Sequence, residues 1–280
     1  MSNYDKAQEL ALQAKEVRKK LLEMIHIAGS GHPGGSLSAA DIMTALYFSE
    51  MRIRPEDPRW DERDRFVLSK GHVCPVLYTC LGLKGYFPME TLGTLRKEGS
   101  ILQGHPDMKR CPGIDISTGS LGQGLSVGVG MALRAKRDHM EYRVYVLLGD
   151  GECDEGQIWE AVQTAFKYSL DNLVILVDHN GLQNDDTCEV VMPPRDLKEK
   201  FVAFGCDTQA IDGHNMVAIL DALDYARENH SGKPHCIVLH TVKGKGVSFM
   251  ENVVQWHGMA PDAAHYAQAI KEIEEGFFNE

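Results

Sequence analysis

The sequence has no C-x-x-C pair, no excess of basic residues and no long apolar run. Its seven cysteines are scattered and odd in number, which argues against a disulfide framework or a zinc site and favours reduced thiols. A formal net charge of −11 disfavours nucleic-acid binding. No apolar run reaches the roughly 20 residues of a membrane span, and residues 1–20 are too polar for a secretory signal. We therefore expect a cytoplasmic protein that contacts neither nucleic acid nor membranes.

Short apolar segments alternate with amphipathic ones along the 280 residues. The pattern predicts strands at residues 65–69, 143–148, 173–178, 208–211 and 235–241, and helices at residues 5–27, 74–83, 122–136, 155–168 and 216–229. Strands that alternate with helices indicate βαβ units. The sequence predicts one α/β domain over residues 1–280, with a doubly wound, mostly parallel sheet flanked by helices and a C-terminal tail from about residue 243.

Oxygen ligands follow two neighbouring predicted strands. Asp150 follows the strand at residues 143–148, and Asn180 and Leu182 follow the strand at residues 173–178. Ligands bind at the carboxyl ends of parallel strands, so the Asp150 carboxylate, the Asn180 amide oxygen and the Leu182 carbonyl should converge. This oxygen set suits Mg²⁺, or alternatively Ca²⁺ or Mn²⁺. The alternative for an isolated G-D-G triplet is a structural turn.

Gly151 indicates that the predicted site also binds a phosphate group. A glycine lets a phosphate approach the backbone closely, and a helix that begins after it would direct free N–H groups at an anion. Only three protein groups are available to the metal, which is typical of a cation whose remaining coordination comes from the phosphates of a bound molecule. The residues that follow these two strands therefore predict a site for a diphosphate together with a divalent cation.

Three of the twelve histidines stand apart from the others. His32, His72 and His105 each lie in a loop that contains glycine or proline, and the loops at residues 29–36 and 99–122 are long and glycine-bearing. Functional residues concentrate on such loops, whereas most other histidines are surface or structural residues. These three are candidates for proton transfer because the ordinary pKa of histidine lies near neutral pH.

The motifs together resemble one enzyme family. G-D-G at residues 149–151, followed by Asn180 after 30 residues, is similar to the thiamine diphosphate signature. The wording GDGECDEGQIWEA and DHNGLQ resembles transketolase more specifically. Further matches are SGHPG at 30–34, LSKGH at 68–72, GHP at 104–106, TGSLGQG at 118–124 and WHG at 256–258. Ser120 replaces the proline that is usual in the TGSLGQG motif. The resemblance extends from near the N-terminus to about residue 260.

The resemblance implies the fold, the cofactor and the reaction. It implies the diphosphate-binding domain of a thiamine diphosphate enzyme, with Mg²⁺ held by Asp150, Asn180 and Leu182. Such an enzyme transfers a two-carbon ketol unit from a ketose to an aldose phosphate in carbohydrate metabolism, as in the pentose phosphate pathway. The cofactor acts as the electron sink, so the protein supplies orientation and proton management.

The resemblance also implies roles for individual residues. The reacting end of the donor sugar should contact His32 and His105, and His257 should lie near both the substrate and the diphosphate. The residues expected to bind the cofactor are His72, Gly119, Leu121, Gly151, Asn180 and His257. Glu155 resembles an acidic residue at the family's subunit interface and is grouped with them. For Glu155 the alternative is an exposed helical glutamate.

Half of a thiamine diphosphate site has no counterpart in the sequence. The family places the cofactor between this domain type and a second one, which supplies the glutamate that activates the aminopyrimidine. The 280 residues account for the first type only. We therefore expect a split transketolase, in which a separate C-terminal subunit supplies that glutamate and the two chains form an α2β2 heterotetramer.

Other functions remain open from the sequence. The chain could be part of another thiamine diphosphate enzyme, such as a 1-deoxy-xylulose-5-phosphate synthase-like protein or a 2-oxo acid dehydrogenase component. It could serve a transketolase for a modified sugar, for example a sulfonated one. A scaffold protein that keeps only the fold is a third alternative, although His32, His105 and Asp150 are all present.

Overall fold

The computed structural model describes residues 2–276 and is built around a five-stranded sheet. The strands are β1 (Arg65–Leu68), β2 (Val144–Gly149), β3 (Leu173–His179), β4 (Asp207–Asp212) and β5 (His235–His240). They lie in the order β1-β2-β3-β5-β4, and all four pairings are parallel. The predicted α/β class with a parallel sheet is confirmed.

Helices cover both faces of this sheet. They are α1 (Asn3–Ala28), α2 (Pro33–Ser38), α3 (Ala40–Ala45), α4 (Cys74–Lys84), α5 (Gln123–Arg137), α6 (Gly156–Lys167), α7 (Cys188–Val191), α8 (Leu197–Ala203), α9 (Met216–Glu228) and α10 (Ala263–Glu275). Leu46–Glu50 is a π-helical turn, and Gly71–Val73, Met89–Thr94, Gly151–Asp154 and Val254–His257 are 3₁₀ helices. Within residues 2–276, no helix combines the length and apolar character needed to cross a membrane.

Alternate strand residues separate the core into two layers. Leu147 and Leu176 pack with α1, α3, α4, α9 and α10 on one face of the sheet. Val146 and Ile175 pack with α5, α6 and α8 on the other. Successive strand side chains point to opposite faces, and both faces are buried, so the strands are continuous apolar runs. Because both faces of the sheet are apolar, helices must cover both of them, which is the doubly wound arrangement.

The glycine-rich segment after α1 differs from its prediction as a loop. The structure has α2 from Pro33 onward, and its six residues are all buried. Proline suits the first helical turn because it needs no hydrogen-bonded N–H there. A Cβ at Gly35 would lie 2.7 Å from Val73 Cγ1, so glycine allows α2 to pack at close range. This packing brings His32, the residue before α2, to the sheet edge.

Residues 243–276 pack against the layer of helices that contains α1. Within α10, Ala269 and Ile273 are buried in the cluster that also contains α1. Lys19 of α1 and Glu274 form an ion pair of 2.8 Å. The segment also crosses the carboxyl edge of the sheet, where Lys243 is buried.

Candidate active site

A cavity of about 200 Å³ opens between the carboxyl ends of β2 and β3. Open parallel sheets bind ligands at this edge. The predicted site residues that line the cavity are His72, Leu121, Asp150, Gly151, Asn180, Leu182 and His257. The remaining lining residues are Gly35, Lys70, Gly149, Glu152, Gln183, Asn184 and Lys243. The fold therefore collects predicted residues from distant parts of the sequence into one crevice.

Asp150 joins the loops that follow β2 and β3. Its Oδ1 accepts a hydrogen bond from the Gly151 N–H at 2.8 Å, and its Oδ2 accepts one from the Gly181 N–H at 2.6 Å. The Gly151 N–H, expected to be free for an anion, is thus satisfied by Asp150. Burial raises the pKa of the Asp150 carboxyl, so a cation beside it would offset the energetic cost of its charge.

Asp178 fixes the orientation of the Asn180 amide. Asn180 Nδ2 donates to Asp178 Oδ2 at 3.1 Å, so the amide oxygen is turned away from Asp178. That oxygen accepts the Leu182 N–H at 3.2 Å. Both Asn180 and Leu182 line the cavity beside Asp150. The expected carboxylate, amide and carbonyl ligands therefore lie in one crevice.

Lys243 is a site residue that sequence reasoning missed. It is 3% exposed, and its Nζ donates to the Leu182 carbonyl and lies next to His257 Nδ1, each at 2.8 Å. Burial and then repulsion from Lys70 lower its pKa to about 8. Lys70 is paired with the buried Asp178, whereas Lys243 has no carboxylate partner among its hydrogen bonds within residues 2–276 and is the cation available to an anion such as a diphosphate. The available sequence signal was a lysine that comes just after a strand and is followed by glycine, in VKGKG at residues 242–246.

Glu152 is a second missed residue. This buried carboxylate accepts hydrogen bonds from the Ser69 hydroxyl, from the Gly122 N–H at 2.9 Å and from the Gly149 N–H at 3.1 Å. It ties together the segments that follow β1, precede α5 and end β2. Glu152 thus shapes the cavity wall. In the sequence, the G-D-G triplet directly before it gives no indication of this role.

Three histidines from separate segments form a cluster above the cavity. The ring centroids of His32 and His72 are 5.1 Å apart, those of His32 and His257 5.4 Å, and those of His72 and His257 5.2 Å. Burial lowers the pKa of His32 to about 4, of His72 to about 2 and of His257 to about 3. Nearby cations add to this effect. All three imidazoles are therefore neutral at pH 7.

The other predicted residues lie around this cluster rather than in the cavity wall. A Cβ built on Gly119 would lie 3.2 Å from His105 Cδ2, so the two segments touch. His105 is exposed overall, but partial desolvation of its ring lowers its pKa, and the charge of Arg96 lowers it further. Glu155 is exposed at the start of α6, against Gly122. The structure places Glu155 away from the cavity lining, as either of its interpretations allows.

The neutral histidines predict acid sensitivity. The unfolded chain binds protons at His32, His72 and His257 below about pH 6.5, whereas the folded chain does not until near pH 4 or lower. The free energy of unfolding should therefore be highest above about pH 6.5 and should fall as the pH is lowered toward about 4. Urea unfolding at several pH values measures this slope. His72→Asn should make it shallower and the exposed His139→Asn should not; equal slopes would contradict the assignment.

Comparison with known proteins identifies the family. The chain matches "Transketolase, thiamine diphosphate binding domain" over residues 10–277. It belongs to the transketolase family. It is 46% identical to a subunit of apulose-4-phosphate transketolase from Phocaeicola vulgatus, over 95% of this chain and 94% of that protein. It is 48% identical to a 6-deoxy-6-sulfo-D-fructose transketolase subunit from Clostridium sp., over 95% of this chain and 96% of that protein.

Solved transketolases share the fold. The transketolase of Campylobacter jejuni matches with a TM-score of 0.90 and 32% identity, over 95% of this chain and 43% of that chain. The transketolase-family chain described here therefore spans less than half of that enzyme but nearly the full length of the subunit relatives. This likeness confirms the resemblance drawn from the motifs.

The groups that line the crevice are compatible with a diphosphate and with a cation beside it. Within residues 2–276, no cluster of three His, Cys, Asp or Glu side chains is arranged to hold a metal, so a cation would rely on the mixed oxygen set around Asp150. The buried Lys243 supplies positive charge for phosphate. His32 Nδ1 is buried without a hydrogen-bond partner, which leaves it able to bind a ligand group.

Proposed function

We propose that this chain is the cofactor-binding subunit of a split transketolase, which transfers a two-carbon ketol unit from a ketose to an aldose phosphate. The observation that carries the proposal is the crevice itself. It combines three hard oxygen ligands, two buried lysines and a cluster of neutral histidines at the carboxyl edge of a parallel sheet. A scaffold protein would have no need to keep this costly arrangement of buried polar groups.

Each group has a distinct task in this proposal. Asp150, Asn180 and Leu182 hold Mg²⁺, while Lys243 and His72 bind the diphosphate. Gly119, Leu121 and Gly151 contact the cofactor through their backbone. Bound thiamine diphosphate supplies the electron sink for breaking and forming carbon–carbon bonds.

The remaining histidines act on the sugar. His32 and His257 are neutral at pH 7, so each can hydrogen-bond a sugar hydroxyl, and a bound anionic group would raise their pKa toward the value that proton transfer requires. His105 lies beside Gly119 at the exposed rim, where it can hold the reacting end of the donor. Such proton transfers contribute about 10²–10⁴-fold to a rate.

The partner in this proposal is a separate C-terminal subunit in the cytoplasm. It supplies the glutamate that activates the aminopyrimidine, and the two chains form an α2β2 heterotetramer. Support comes from the relatives named as subunits, which this chain covers over 94% and 96% of their lengths. We propose that Glu155, which is exposed at the start of α6, contributes to the contact between subunits.

The donor is proposed to be a ketose that carries an anionic group away from its carbonyl. Relatives that are 46% and 48% identical are named for apulose 4-phosphate and 6-deoxy-6-sulfo-D-fructose, which bear a phosphate and a sulfonate. A transketolase specialised for a modified sugar is therefore the second candidate function. A donor screen with phosphorylated, sulfonated and neutral ketoses would separate the two, and pyruvate tests the synthase-like alternative.

The split-enzyme proposal is tested by complementation. The purified 280-residue chain with Mg²⁺ and thiamine diphosphate should show no ketol transfer, because half of the cofactor site is absent. Adding the proposed C-terminal subunit should restore transfer, measured by coupled detection of the released aldose. Robust turnover by this chain alone would contradict the proposal, as would an inactive mixture that still forms a stable complex with bound cofactor.

A further inference from the structure

The segment that carries Lys243 is held in place by a buried polar network. We define the lysine strap as residues 241–245, which follow β5. The Thr241 N–H donates to the His179 carbonyl at 3.1 Å, and the Gly244 N–H donates to the Gly34 carbonyl at 3.0 Å. These bonds anchor the strap to β3 and α2. They leave the position of Val242, directly before Lys243, to be set by another contact.

That contact comes from His214, in the turn between β4 and α9. The Val242 N–H donates to His214 Nε2 at 2.9 Å. Because Nε2 accepts this bond, the ring proton lies on Nδ1, which donates to Asp41 Oδ2 at 2.8 Å. His214 therefore has a fixed tautomer and both ring nitrogens are used. It links α3 to the strap, although His214 and Asp41 are 173 positions apart in the sequence.

Arg18 closes the network from the opposite side. Its guanidinium forms a bidentate pair with Asp41, with one N–O distance of 2.9 Å, and its Nε donates to the Lys245 carbonyl at 3.4 Å. Arg18 and Asp41 are 1% and 6% exposed. Burial raises the pKa of Asp41, but Arg18 and His214 overcome this effect and lower it to about 2, so the carboxylate stays ionised.

The two side chains thus add contacts at the positions that flank Lys243 and Gly244, beside the backbone bonds of Thr241, Gly244 and the Lys243 carbonyl, which accepts the Asn252 N–H at 2.9 Å. His214 holds Val242, and Arg18 holds Lys245. Between these points, the Lys243 side chain extends to the Leu182 carbonyl and His257 Nδ1. Buried charged pairs are weak contributors to stability, and the attested use of such networks is to fix a geometry. The network therefore suits a role in aiming one side chain.

We propose that His214, supported by Asp41 and Arg18, is a positioning residue that directs Lys243 at the diphosphate end of the cofactor. The inference rests on the proposed function. It assigns His214 an effect that acts through the strap and not through any contact with the cofactor. Removing His214 should therefore matter only while Lys243 is present.

A double-mutant cycle in this chain, reconstituted with its proposed C-terminal partner, tests this dependence. The measured quantity is the Kd for thiamine diphosphate at saturating Mg²⁺, by isothermal titration calorimetry. His214→Ala should weaken binding about tenfold in the wild-type background and by less than about twofold in a Lys243→Ala background, since coupled sites are not additive. His214→Gln, which keeps an acceptor for Val242 and a donor for Asp41, should recover most of the affinity.

His235→Gln is the matched control. His235 is buried at the opposite end of β5, where its Nε2 lies 3.0 Å from the Asn229 carbonyl, so its loss should lower the Tm without changing the Kd. Equal losses of affinity from His214→Ala in both backgrounds would overturn the inference. If His214→Ala does not fold, the cycle is run with Asp41→Asn, for which the same outcomes apply. A reconstituted wild-type complex that binds no cofactor would instead count against the proposed function.

Discussion

Replacing Asp150 with alanine is expected to abolish Mg²⁺-dependent retention of thiamine diphosphate, in the chain and in its complex. Asp150 is the sole carboxylate of the proposed ligand set, and it lies beside Asn180 and Leu182. The loss of even a supporting contact at a metal site costs about 10–100-fold in affinity, so the loss of the charged ligand should exceed about 100-fold. Calorimetry with and without Mg²⁺ measures the effect.

The same substitution should leave the chain without cofactor about as stable as the wild type. Burial raises the pKa of Asp150, so its charge is energetically costly in the absence of a cation, and this cost offsets its two backbone hydrogen bonds. Asp154→Ala is the control, because Asp154 is an exposed carboxylate of the same loop that does not line the cavity. Unchanged Mg²⁺-dependent affinity in Asp150→Ala would place the metal elsewhere.

Much of the candidate site could be predicted because its backbone positions are constrained. The end of a buried strand fixes where Asp150 and Asn180 lie, and the parallel pairing of Gly149 with Asp178 places them at the same edge. Glycine- and proline-bearing loops then pointed to His32, His72 and His105. Each of these signals is local in sequence, so each could be read without knowledge of tertiary packing.

The supporting groups could not be predicted in the same way. Lys243 reaches Leu182 across 61 positions, and Ser69 reaches Glu152 across 83. Apart from the position of Lys243 just after a strand, nothing local distinguishes Lys243 and Glu152 from ordinary surface charges. The helix α2 was missed for a related reason, since two glycines disfavour a helix unless close tertiary contacts compensate, as Val73 does at Gly35. Buried polar contacts over long sequence separations are therefore the part of the site that needed coordinates.

Asp178→Asn is expected to produce the largest loss of stability. The buried Asp178 carboxylate forms an ion pair with Lys70 and accepts hydrogen bonds from Ser38 at 2.6 Å, from Thr241 and from Asn180. An amide would leave the Lys70 ammonium buried without its counter-charge. Breaking one partner of a buried pair costs about 3–5 kcal/mol, which corresponds to a fall in Tm of roughly 10 °C. Calorimetric or urea unfolding measures it.

The pH dependence of this contribution has a defined sign. Burial raises the pKa of Asp178, but Lys70 and the hydroxyl donors overcome burial and lower it below its ordinary value of 3.8. A lowered pKa in the folded state stabilises the fold above the unfolded pKa and is lost as the pH falls through the folded one. The gap in Tm between wild type and Asp178→Asn should therefore persist at neutral pH and shrink below about pH 4.

A second substitution separates the charge effect from simple loss of hydrogen bonds. Lys70→Met in the Asp178→Asn background removes the unpaired ammonium, so it should restore at least about half of the lost stability, because replacing both partners of a buried pair is often nearly neutral. Ser38→Ala, which deletes one hydrogen bond to the same carboxylate, should cost only about 1 kcal/mol. If Lys70→Met destabilises the Asp178→Asn chain further, the ion pair is not what Asp178 contributes. The hydroxyl and amide contacts would then carry the stability of this edge of the sheet.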